Sequence, residues 1–101
     1  MRMIVDFKMP IEPFNSMVKD GTAGQQIRRV LEEIKPESVY FTARGGKRGG
    51  IMVVDLADGS KLPAVSEPLF LVFNATVEFH PCMTPEDLSK SGLDELGKNY
   101  K

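Results

Sequence analysis

The chain has 101 residues, 42% of them hydrophobic, with 13 basic and 14 acidic side chains and a formal net charge of -1. That length sets a single domain, large enough for a core yet small enough to gain from burial against a second copy. The balanced charge provides no global field for nucleic acid or an anionic membrane surface, and no apolar run approaches the roughly 20 residues that cross a bilayer.

Met3 to Met9 alternates, with Met3, Val5, Phe7 and Met9 on one face and Ile4, Asp6 and Lys8 on the other, which predicts a first strand ended by Pro10 and Pro13. Phe14, Met17, Val18, Ile27, Val30, Leu31 and Ile34 then recur at helical spacing. Gly21 and Gly24 interrupt that pattern, and the expectation is one helix pressed closely onto the sheet at the glycines, with two helical pieces as the alternative. Lys35-Pro36 stops the helix. Val39 to Arg44 reads as a second strand, with Val39, Phe41 and Ala43 on one face and Tyr40, Thr42 and Arg44 on the other. A hairpin loop is expected over Gly45 to Gly50, followed by a central strand, Ile51 to Leu56, apolar on both faces. Asp58-Gly59-Ser60 leads into a second helical segment from Lys61 to about Phe73, with Pro68 as a break. Ala75 to Met83 is the last strand, and Thr84-Pro85-Glu86-Asp87 announces a short helix containing Leu88. The remainder to Lys101 is a tail anchored by Leu93, Leu96 and Tyr100.

The order strand, helix, strand, strand, helix, strand predicts a ferredoxin-like βαββαβ unit of the α+β class, with an antiparallel four-stranded sheet. Residues 1–83 form this unit, and 84–101 add a C-terminal helix and tail to the same domain. Two helices cover one face of such a sheet, leaving Ile4, Tyr40, Val53 or Val54, and Thr76 bare on the other. A second copy packed face to face would cover them as a dimeric α+β barrel, with the tail as an arm crossing to the neighbour. Glu67-Pro68-Leu69-Phe70, Asn74-Ala75 and the exit Met83-Thr84-Pro85-Glu86-Asp87-Leu88 carry a resemblance. The chain resembles small dimeric α+β barrel proteins of the muconolactone isomerase-like kind, in particular an uncharacterised bacterial family with those segments. The matching residues are mainly structural, so the resemblance implies a fold and a homodimer rather than a particular reaction.

Among the chemical candidates, His80 shares a strand face with Glu78, and Asp6 lies on the expected neighbouring strand. The three could form a carboxylate-oriented imidazole that moves protons near neutral pH, or His80 could be a structural histidine. Arg44, facing the same way as Tyr40 and Thr42, is the candidate anchor for an anionic ligand. The neighbouring Gly45-Gly46-Lys47-Arg48-Gly49-Gly50 lacks the spacing of a phosphate-binding loop and reads as a solvated hairpin. Cys82, the single cysteine, excludes an internal disulfide and reads as an inert thiol, and with His80 it provides too few ligands for a metal. The central strand lacks the aromatic residues on which an RNA-recognition sheet stacks bases. Leu69 to Phe73 reads as core rather than a membrane or cofactor box. Without a cleavable leader pattern in Met1 to Met9, a cytoplasmic location is expected.

Three functions fit: binding of a small, anionic organic molecule without a cofactor, a cofactor-independent isomerase-like or oxygenase-like enzyme using His80 with a carboxylate, or a noncatalytic structural interaction module. A cavity reached by His80 and Arg44 would favour the enzyme, an apolar one without them would favour binding, and no cavity would favour the module.

Overall fold

Strict alternation in the first segment becomes strand β1 (Arg2–Lys8), in which Met3, Val5 and Phe7 are buried while Ile4 and Asp6 are only half covered. In the computed structural model, which describes residues 1–100, β1 is followed by two helices, α1 (Ile11–Asp20) and α2 (Ala23–Ile34). Next come the hairpin strands β2 (Ser38–Arg44) and β3 (Lys47–Asp55). One 3-10 turn at Gly59–Lys61 then leads into α3 (Leu62–Phe73), and β4 (Thr76–Pro81) closes the unit. The sheet runs β2-β3-β1-β4 with every neighbouring pair antiparallel. This is the ferredoxin-like βαββαβ fold, with α1 and α2 together occupying the first helical position.

The core lies between the sheet and α1–α3. Val5, Phe7 and Met52 meet Val30, Leu69 and Phe73, and Met17, Ile27, Leu31, Ile34 and Val39 pack around them half-buried. Each such side chain contributes about 1.5–3 kcal/mol when fully removed from water. Phe14 and Phe73 stack at a tilt with centroids 5.7 Å apart, tying α1 to α3.

Four local expectations are corrected. The helical run is two helices, not one pressed onto the sheet: Gly21 is left-handed (φ 82), its N–H donates to the Val18 carbonyl and that of Thr22 to Met17. A side chain at Gly21 would meet open space, so this glycine ends a helix instead of allowing close approach. The hairpin loop is shorter than Gly45 to Gly50. Gly45 and Gly46, both with positive φ (60 and 79), form a two-residue turn that matches strand twist, and Lys47 to Gly50 already belong to β3. Pro68 does not break α3, because Val65, Leu69 and Phe73 on the same helix are anchored in the core and outweigh one lost backbone hydrogen bond. Finally, Leu69 to Phe73 is not wholly core: Leu69 and Phe73 are buried, but Leu71 on the opposite side of α3 is 78% exposed.

Beyond β4 the chain forms α4 (Pro85–Lys90), α5 (Leu93–Gly97) and a 3-10 turn, Lys98–Tyr100; the end of the expected tail, Lys101, lies outside the described residues. A capping box starts α4. Thr84 Oγ1 accepts the Asp87 N–H at 3.1 Å, and the Asp87 carboxylate accepts the Thr84 N–H at 3.0 Å. Every residue from Pro85 to Tyr100 is exposed. The described chain is 61 Å long but only 28 by 19 Å across, and its radius of gyration, 17.0 Å, exceeds the roughly 13 Å typical of a compact domain this size. The C-terminal helices are an arm, not part of the packed body.

Candidate functional site

Register decides which face each candidate occupies. Tyr40, Ile51, Asp6 and Glu78 form one row across the sheet, with Ser38, Val53, Ile4 and His80 beside it on one side and Thr42, Gly49, Lys8 and Thr76 on the other. All six sequence-derived candidates, Asp6, Tyr40, Thr42, Arg44, Glu78 and His80, therefore share the helix-free face. Its apolar members, Ile4, Ile51 and Val53, are half-buried by their neighbours, and Tyr40 is 71% exposed. Val53 rather than Val54 belongs here, since Val54 is in the core.

Arg44 and Asp6 sit on strands separated by β3, and the arginine bridges them. Its Nε donates to Asp6 Oδ1 at 3.1 Å and Nη2 donates to Oδ2, a two-pronged pair that is largely covered. Gly49 makes the crossing possible. A Cβ at Gly49 would come within 2.9 Å of Arg44 Cγ and overlap the Phe7 carbonyl oxygen, so only glycine leaves room for the arginine stem to lie across β3. Arg44 thus reaches the site with its charge already matched.

His80 has a different partner from Asp6. Its Nε2 lies 3.4 Å from Glu78 Oε2, with both side chains more than half exposed. Asp6 is engaged by Arg44 and makes no hydrogen bond to His80, so the expected trio divides into two pairs, Asp6–Arg44 and Glu78–His80, adjacent on one surface. Thr42 and Tyr40 flank the pairs without hydrogen bonds to them. Among the described residues no group of three His, Cys, Asp or Glu side chains could hold a metal ion, and no helix is long and apolar enough to cross a membrane.

An apolar hollow lies on the other side of the sheet. Because β2 is an edge strand and α1 and α2 do not reach fully over it, Phe41 stays 50% exposed although its ring meets Phe7 edge-on at 6.1 Å. The resulting open groove, about 550 Å³, has Phe14, Ile27 and Phe41 as its apolar walls and Arg48 at its rim, beside the hairpin turn. Arg48 is fixed there: its guanidinium lies 5.0 Å over the Phe14 ring and donates to Asn15 Oδ1 at 2.7 Å. A second hollow of similar volume on the turn side shares Lys47 and Arg48 and adds Asn15. Neither His80 nor Arg44 reaches the groove.

Sequence reasoning missed Lys47, Arg48 and the groove because it placed both cations in a solvated loop. The signal was present in Gly45-Gly46, a dipeptide suited to a two-residue hairpin turn that puts the following cations on a strand. No protein-family model and no curated protein matches the chain.

Proposed function

We propose that the protein is a homodimeric α+β barrel that binds a small organic anion with an apolar body in the groove between its helices and the β2–β3 hairpin. The observation that carries this reading is the groove itself, an apolar hollow of about 550 Å³ with the Arg48 guanidinium at its mouth. Its walls suit an alkyl or aromatic body, and the Arg48 guanidinium at the rim suits a carboxylate. The groove lacks His80 and Arg44, which favours binding over proton-transfer chemistry at this place.

The dimer follows from the other face. Ile4, Ile51, Val53 and Tyr40 form an apolar strip flanked by the Asp6–Arg44 and Glu78–His80 pairs, a surface suited to packing against its own copy. A second reading rests on that face as well. Glu78 and His80 would line the barrel interior, where the 3.4 Å contact would orient an imidazole for cofactor-independent proton transfer.

Thermal shift with decanoate and naphthoate as probes tests the ligand reading. Stabilisation that disappears in Arg48→Ala or Phe41→Ser is the expected outcome. Stabilisation lost instead in His80→Ala would move the ligand to the barrel interior, and no response to either probe or to related carboxylates would remove the binding function.

A further inference from the structure

Two arginines leave the β2–β3 hairpin on opposite faces of the sheet and meet opposite kinds of partner. Arg44, on the helix-free face, has the Asp6 carboxylate as a two-pronged counter-charge. Arg48, on the helix side, donates from Nη1 to Asn15 Oδ1, the oxygen of a neutral amide, at 2.7 Å. From this difference we propose that Asn15 makes the groove selective for anions: it aims the Arg48 guanidinium without neutralising it, and so keeps a seat open for a ligand carboxylate. The proposal deepens the groove-binding reading above and rests on it.

The seat is built on fixed parts. The Arg48 carbonyl accepts the Met9 N–H at 2.7 Å and the residue pairs with Ala43 on β2, so the root of the side chain is held from both sides. Its guanidinium lies 5.0 Å over the Phe14 ring, and Phe14 is itself buried and packed on Phe73. Asn15, next to Phe14 on α1, is half-buried and supplies the second point of attachment. A guanidinium has five N–H donors, and the amide oxygen takes one of them. Among the described residues no carboxylate lies within ion-pair distance of Arg48. Glu12, on the same helix as Asn15, is held below its ordinary pKa chiefly by the Ser16 hydroxyl and least by Arg48.

Placement adds the second half of the argument. Arg48 lines both the apolar groove and the turn-side hollow that contains Asn15, so it stands where the two meet. An apolar body lying against Phe14, Ile27 and Phe41 therefore brings an acid at its end to the guanidinium, and the turn-side hollow leaves room for the hydration of that head group. The ligand class is a monocarboxylate whose acid ends an alkyl or aryl body. Asn15→Asp would supply the counter-charge that Arg48 lacks, as Asp6 does for Arg44, and fill the seat from within.

Fluorescence titration of the full chain with naphthoate and with naphthalenemethanol, its neutral counterpart, tests the proposal. The native chain should prefer naphthoate. In Asn15→Asp that preference should fall about fivefold, the upper range for an ion pair at a surface. Asn15→Ala, which loosens the guanidinium but leaves it charged, should reduce the preference by less. The split between probes separates a positioning role from a structural one, which would weaken both probes alike. An unaltered preference in Asn15→Asp, or equal losses for the two probes, would overturn the role of Asn15 and leave groove binding standing. Equal affinity of the native chain for both probes would overturn the anion seat while the apolar groove still bound. A native chain that binds neither probe would overturn the groove-binding reading and this proposal together.

Discussion

The two faces of the sheet are made by the same strands and end in different states. On the helix side, Met3, Val5, Phe7, Met52 and Val54 are each at most 5% exposed and polar groups are absent from among them. On the other side, Ile4, Ile51 and Val53 alternate with the Asp6–Arg44 and Glu78–His80 pairs. A purely solvated face would not be expected to hold a cross-sheet arginine pair over a glycine, and a finished core would not leave Tyr40 uncovered. The second face thus mixes apolar residues with two charge pairs matched within the chain, and covering it, as the proposed dimer does, would leave those pairs intact.

Breaking the finished face should cost most. Phe7→Ala removes a ring from the core centre and should lower stability by about 3–5 kcal/mol in urea denaturation. Ile4→Ala, one residue earlier on the opposite face, should cost far less in dilute protein, and its cost should grow with protein concentration as the proposed dimer forms. Equal, concentration-independent costs would mean that the two faces do not differ in this way.

Substitutions at the cross-sheet pair should have intermediate effects. Gly49→Ala forces a methyl group into the space of the Arg44 stem and the Phe7 carbonyl, with an expected loss of roughly 1–3 kcal/mol from overpacking. Asp6→Asn leaves the Arg44 guanidinium without its charge partner and should cost about 1–3 kcal/mol, much of it recovered in Asp6→Asn/Arg44→Met. A double variant whose loss is the sum of the two single losses would show that the residues act independently.

The smallest effect belongs to the arm. Hydrogen bonds from the Thr84 backbone and side chain hold the Asp87 carboxyl below its ordinary value. Because the folded value is depressed, its contribution to α4 is complete above the ordinary carboxylate range, near about 3.9, and is lost as pH falls through the folded value. Protection of the Asp87 amide should therefore fade only in strong acid, and Thr84→Ala should abolish it at neutral pH without moving the unfolding midpoint of the body. A shifted midpoint would show that the arm packs on its own chain.

Much of the fold was legible because period-2 alternation survives in β1 and β2 and capping residues mark α4. The assignment of Asp6, Tyr40, Thr42, Arg44, Glu78 and His80 to one face followed from the same parity. What parity could not show was contact across strands: the Asp6–Arg44 pair depends on Gly49 two strands from one partner in sequence, and no local pattern reports it. Phe41 shares an apolar face with Val39 and Ala43, but burial at an edge strand depends on how far the helices reach, and half of Phe41 stays exposed. Gly21 illustrates a third limit, since a helix C-cap and a close-packing glycine look alike until φ is known.

In the proposed dimer a second copy covers the helix-free face. Sedimentation at micromolar concentration tests it directly, comparing the native chain with Tyr40→Asp, which places an unpaired charge in the middle of that face. The expected result is a dimer or a multiple of it for the native chain and a shift toward folded monomer for the variant. A native chain that sediments as a well-folded monomer, or a Tyr40→Asp variant that associates as tightly as the native protein, would contradict it.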